Sequence, residues 1–187
     1  MGYQWIALRI LLLTKHDLIN EFREEIISIL SNSMIVSRDL IKGIDLSSID
    51  LSNANLEGAN LEGVNLSKAN LERTNLIRSN LRDANITNSR LYSTKFSYAN
   101  LSNAKLSGAN GLEVELNNAD LTNTDFSNFN SNFPKEDHKR YHINFIFDLC
   151  NANLSHANFS NVDLGSSMII NLQSYIGLVI NEATHFS

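Results

Sequence analysis

Four side chains in the last third of this sequence carry donor atoms suited to metal or acid–base chemistry: His138, His142, Cys150 and His156. His138 and His142 stand four residues apart, which puts two imidazoles on one helix face. A structural zinc site asks for about four ligands. In a zinc-peptidase helix the catalytic glutamate lies between the two histidines, whereas here Glu136 precedes the pair. The surrounding run Pro134-Lys135-Glu136-Asp137-His138-Lys139-Arg140 reads as an exposed, charged loop. Serines are abundant, but none forms a recognisable constellation with a histidine. Gly58, Gly63 and Gly108 stand singly and build no phosphate-cradling loop. No catalytic, cofactor-binding or metal residues can be named on this basis, and an enzyme is not expected.

What would position any such group is a stretch that counts in fives. Leu46, Leu51, Leu56, Leu61, Leu66, Leu71, Leu76 and Leu81 keep one strict spacing. Ile86, Leu91, Phe96, Leu101 and Leu106 continue it, and Leu116, Leu121 and Phe126 complete it. Of the 17 centres from 46 to 126, 16 are Leu, Ile or Phe, and only Gly111 departs. Two residues before each centre stands a small or modest side chain, such as Ala54, Ala59, Val64, Thr74 or Ser79, usually followed by Asn or Asp.

A period of five suits neither a helix nor a flat strand. It requires a unit that turns a corner, and four such units close a coil of twenty residues. Each centre then stacks on the one twenty positions away, with coils about 4.8 Å apart. The centre and the small residue before it point inward; the other three positions face solvent. Leu46, Leu66, Ile86, Leu106 and Phe126 fall in one stack, and Leu61, Leu81, Leu101 and Leu121 in another. Leu56, Leu76, Phe96 and Leu116 form a third, while Leu51, Leu71, Leu91, Gly111 and Ser131 form a fourth that loses bulk. An irregular corner is expected near Asn110–Glu113, with Val114 and Phe129 refilling the space.

The repeated Ala-Asn/Asp-Leu-x-x unit, as in Ala54-Asn55-Leu56-Glu57-Gly58, resembles the pentapeptide-repeat protein family over about residues 44–131 and again 147–166. A leucine-rich repeat would need uneven leucine spacing within a longer unit. The resemblance implies an all-β solenoid, a right-handed quadrilateral β-helix. It also implies a second possibility for function, since some members bind type II topoisomerases such as DNA gyrase by imitating DNA.

The remaining segments give the organisation. Residues 1–43 lack the repeat and read as an N-terminal α-helical cap. Thr14-Lys15-His16-Asp17 resembles a capping box, and Leu18, Phe22, Ile26, Ile29 and Leu30 recur at helical steps up to Ser31-Asn32-Ser33. Trp5–Leu13 reads as a further short helix, with a strand as the alternative for so short a run, and Ser37–Ile41 as a last helical turn before Gly43. Residues 44–131 form the main β-helix and 132–146 an inserted loop. The fives resume at Leu149, Leu154, Phe159 and Leu164 within a further coil, 147–166, followed by an apolar C-terminal cap, 167–187.

Composition limits the partners. The 187 residues carry a formal net charge of -5, with a single cysteine and a single proline. Trp5–Leu13 is too short to span a bilayer, which takes about 20 apolar residues, and it lacks a basic leader. A cytoplasmic location is expected. Between 45 and 131 ten acids face seven bases, and the bases, Lys68 to Lys105, girdle the middle coils. A DNA mimic would instead line up acids on one face, and a DNA-binding track would line up bases. The preferred expectation is a noncatalytic protein–protein interaction or regulatory scaffold, monomer or homodimer, without cofactor and without direct nucleic-acid or membrane contact. The alternative is DNA mimicry towards a topoisomerase.

Overall fold

A computed structural model of the chain describes residues 20–31, 43–131, 147–162 and 178–180. Its main body is a stack of parallel rungs. Asp45 pairs with Asn65, Asn65 with Asn85, Asn85 with Lys105, and Lys105 with Asp125, each twenty residues on. The same offset relates Asp50, Asn70, Arg90, Asn110 and Asn130. The chain is therefore a repeat β-helix in which five-residue units turn four times per coil.

The local chemistry explains the corner. Two residues after each centre the backbone is left-handed, with φ from 53° to 62° at seventeen non-glycine residues from Ser48 to Asn161. Asparagine tolerates this region better than most side chains, and glycine does so freely. Asn53, Asn88, Asn103, Asn118 and Asn123 occupy it, and so does Gly58 at φ 68°. The turn is closed by bonds such as Ala59 N–H to Leu56 C=O at 3.0 Å. The Asn or Asp before the centre adds a second lock, as where Asp50 Oδ1 accepts the Ser52 N–H at 2.9 Å. Between coils the centres donate upward, Leu46 N–H to Asn65 C=O at 2.7 Å and Leu66 N–H to Asn85 C=O at 2.7 Å.

The axis is filled by side chains. Nineteen of the twenty centres named above, from Leu46 to Phe159, are at most 3% exposed; Leu164 lies outside the described residues. Each such leucine contributes on the order of 2 kcal/mol relative to exposure. Buried hydroxyls are satisfied along the wall: Thr74 Oγ1 donates to Leu51 C=O and Thr94 Oγ1 to Leu71 C=O, both at 2.8 Å.

Gly111 marks the one irregular corner within this stack. A Cβ built there would sit 2.8 Å from the backbone carbon of Leu91, so the chain has closed onto the coil below. Val114 and Phe129 are buried, and Leu112 joins them at 3% exposure. In the other units, except at Ser97, the residue after the centre is partly or fully exposed. The refill is therefore shared with Leu112, which the period of five assigns to solvent.

Above this corner the register changes. β1 (Val114–Glu115) pairs in parallel with β2 (Phe147–Asp148). Asp120 pairs with Asn153 and Asp125 with Asn158, so the offset is 33 instead of twenty. Phe126, Phe129, Phe147 and Phe159 gather here, with Phe126 and Phe159 stacked at 4.7 Å and the Phe129 and Phe147 rings tilted by 57° at 4.8 Å. A last described rung joins Asn158 to Val179.

At the opposite end, helix α1 (Arg23–Ser31) lies against the first coil and buries Ile26 and Leu30. Glu24 and Glu25 in its first turn suit the positive end of the helix dipole. Its polar side chains reach groups that a preceding coil would otherwise pair. Arg23 donates to the carbonyls of Asp50 and Ser52, and Ser31 Oγ donates to the Asn55 carbonyl at 2.7 Å. Asn20 Oδ1 accepts the Asp50 N–H at 2.8 Å. A turn over residues 20–22 precedes α1. Trp5–Leu13, Thr14–Asp17 and Ser37–Ile41 lie outside the described residues.

Candidate interaction surface

The side chains that remain after packing and turn formation lie on the outside of the coils. Two neighbouring faces, stacked over Leu51–Leu71–Leu91 and over Leu56–Leu76–Phe96, carry a cluster that the other faces lack among the described residues. On the first, the Arg90 guanidinium stands 5.8 Å from the Tyr92 ring centre. On the second, Arg78 stands 5.5 Å from the Tyr98 ring centre. Tyr98 is 55% exposed, and Tyr92 packs partly against the core.

Acids from the same or an adjoining coil hold the cations in place. Arg78 meets Glu57 at 3.1 Å, Arg90 meets Glu72 at 3.4 Å, and Arg73 meets the same Glu72 at 3.5 Å. Lys95 lies 3.9 Å from Glu115. Such exposed pairs add about 0–1 kcal/mol each to stability, so their main effect is to orient the side chains. Arginine and tyrosine oriented in this way match the residues that dominate protein–protein contacts. The bases do encircle the rod, with Lys68 and Lys105 on one further face and Arg82 beside Asp83 on the other. What sequence reading missed is that both aromatic partners fall on adjacent faces, a signal present between Arg78 and Tyr98 only once the coil is drawn.

One carboxylate outside this cluster is tuned. Burial at the first coil raises the pKa of Asp50, but hydrogen bonds from the Ser52 N–H and hydroxyl, with Arg23 and Asn70 nearby, outweigh it and hold the group below its ordinary value of 3.8.

Two of the four donor side chains picked out in the sequence, Cys150 and His156, lie among the described residues. Cys150 and His156 occupy different faces, Cys150 half-buried and His156 exposed at a left-handed position. His138 and His142 lie outside the described residues. Among the described residues no three His, Cys, Asp or Glu side chains gather as metal ligands. No described helix is long and apolar enough to cross a membrane.

The family profile described as Pentapeptide repeats matches the chain in eight copies, over residues 44–83, 94–130 and 147–167. No curated protein matches its sequence significantly. Among solved structures the chain is similar to trypsin-treated QnrB1, a plasmid-mediated fluoroquinolone resistance protein. That match has 16% identity over 75% of this chain and 78% of that one, with a TM-score of 0.36. It is also similar to a pentapeptide repeat protein of the Arabidopsis thaliana thylakoid lumen, at 23% identity over 63% of this chain and 86% of that one, TM-score 0.29. A third is HetL of Nostoc, involved in heterocyst differentiation regulation, at 19% identity over 81% and 92%, TM-score 0.25.

Proposed function

This chain belongs to the pentapeptide-repeat family, and on that premise we propose that it is a noncatalytic protein-binding scaffold whose contact surface is the Arg–Tyr cluster of the middle coils. The observation that carries the reading is the pairing of Arg78 with the exposed Tyr98 and of Arg90 with Tyr92 on adjoining faces. In this reading the solenoid is right-handed and four-sided. Residues 1–43, with α1, cap its start; 132–146 are an inserted loop, 147–166 a further coil, and 167–187 the closing cap. The scaffold works in the cytoplasm, as a monomer or homodimer, without a cofactor.

The test is affinity capture from the native host with the wild-type chain and with a Tyr98→Ser, Arg78→Ser variant side by side. A protein retained by the first and lost by the second supports the proposal. Equal recovery by both, or recovery of nothing at several salt concentrations, counts against it.

The surplus of ten acids over seven bases on the coils favours a second reading, DNA mimicry towards a type II topoisomerase. Against it stands the basic and aromatic character of the middle coils. A gyrase supercoiling assay that is unaffected at micromolar protein would remove it.

A further inference from the structure

We propose that Asn110–Gly111 is a site of spontaneous covalent modification, at which the Asn110 carboxamide cyclises and hydrolyses while the coil is still folded. The packing itself calls for glycine here. Any side chain at 111 would meet the Leu91 backbone at 2.8 Å. The residue before it is under no such constraint, since the same position holds Arg90, Lys95 and Lys105 in other units. The result is the one Asn-Gly pair of the chain.

Two local features set it apart from the other rung asparagines. At every other Asn or Asp before a centre from Asp45 to Asp125, the side-chain oxygen accepts the N–H of the residue two ahead. Asn75 Oδ1 to the Ile77 N–H, at 3.1 Å, is typical. Asn110 makes no such bond among the described residues, because Leu112 has turned into the core. The residue is half-buried, and among the described residues no side chain or backbone group holds the carboxamide. The attacking atom is also less engaged: the Gly111 N–H reaches Asn130 C=O at 3.2 Å, whereas the other centres hold their bonds at 2.7–2.9 Å. Glycine carries no Cβ to shield that nitrogen.

The chemistry needs only water. The Gly111 backbone nitrogen attacks Cγ of Asn110, a new N–C bond closes a five-membered succinimide, and the Cγ–Nδ2 bond breaks. The amide proton of Gly111 leaves with the departing nitrogen as ammonia. Water then adds to one of the two ring carbonyls and reopens the ring, giving aspartate or isoaspartate. The first puts a carboxylate one coil above Arg90, whose rung pairs with that of Asn110. The second routes the main chain through the side-chain carbon and lengthens the coil at its tightest corner.

The experiment is incubation of the folded full-length chain at mildly alkaline pH, followed by peptide mass mapping of every rung asparagine. Isoaspartate is quantified with an isoaspartyl methyltransferase, and urea melts follow folding in parallel. Conversion at Asn110 should lead that at Asn75 or Asn80 by about tenfold, a barrier difference of about 1.4 kcal/mol. The Asn110→Gln variant should fold as the wild type does and lose the signal. First conversion at another rung asparagine, or conversion of Asn110 only after urea unfolding, overturns the proposal.

Discussion

The lower coils, from Ile44 to Asn110, and the upper ones, from Gly111 to Val162, are built by the same unit under different constraints. Below, the coils repeat at an offset of twenty throughout, with Leu, Ile or Phe at every centre and Asn or Asp before most of them. Asn65 Nδ2 donates to Asp45 Oδ1 at 2.8 Å, and Asn85 Nδ2 to Asn65 Oδ1 at 3.0 Å, so side chains as well as backbone link these coils. Above, the backbone rungs persist, but the filling changes to Leu112, Val114 and four phenylalanines. Backbone pairing tolerates a change of filling as long as the interior volume is occupied. A solenoid of this kind depends on nearest-neighbour terms, so an irregular coil disturbs only the coils it touches.

That comparison breaks most severely if the lower stack is charged. Leu76→Asp or Leu81→Asp places a carboxylate where exposure is 0%, at a cost of several kcal/mol. Circular dichroism should show no folded protein. Next comes Leu112. If it fills the upper interior, Leu112→Ala should cost about 2–4 kcal/mol in urea unfolding, whereas Ile77→Ala at the equivalent lower position, which is half-buried, should cost far less. A smaller effect separates two glycines. Gly111→Ala should lose about 1–3 kcal/mol through its clash with Leu91. Gly58→Ala meets nothing within 4 Å and should lose only about 1 kcal/mol, from its left-handed backbone.

The smallest effect belongs to the helical end and is seen through pH. Asp50 titrates lower in the folded protein than in the unfolded chain. The stability it contributes is therefore complete above its ordinary value of 3.8 and is lost as pH falls through the lowered folded value. Thermal melts should show a step in stability over that acidic window in the wild type and a flatter profile in Asp50→Asn. The substitution keeps the turn, since asparagine fills this position in the units that follow, such as Asn55 and Asn60.

The lower coils were nearly transparent in the sequence because inward and outward positions alternate at a fixed count, and a leucine every fifth residue has no other economical packing. Gly111 was visible as a gap, yet its reason was not. The approach of the Leu91 backbone is a contact between residues twenty apart, and no local pattern reports it. Leu112 was hidden for the same cause: its place in the count says solvent, and only the vacancy beneath it says otherwise. At the candidate surface, the charges of Arg78 and Arg90 could be counted, but their partnership with Tyr98 and Tyr92 depends on which faces adjoin. The docking of α1 was foreshadowed by Ile26 and Leu30, while the reach of Arg23 to two carbonyls of the first coil left no trace in composition.

The change of rung offset from twenty to 33 also bears on how the chain closes upon itself. Growth of the stack requires each new coil to find the one beneath it across a segment of nearly constant length, which keeps the search local. At the long step the closing segment is about two-thirds longer, and the logarithmic dependence of loop entropy makes that worth only about 0.4 kcal/mol. A single well-seated Phe147 against Phe129 and Phe126 offsets it several times over. Length is thus cheap at this corner while volume is not, and natural variation in such a rod should collect as extra residues between rungs sooner than as altered side chains within them.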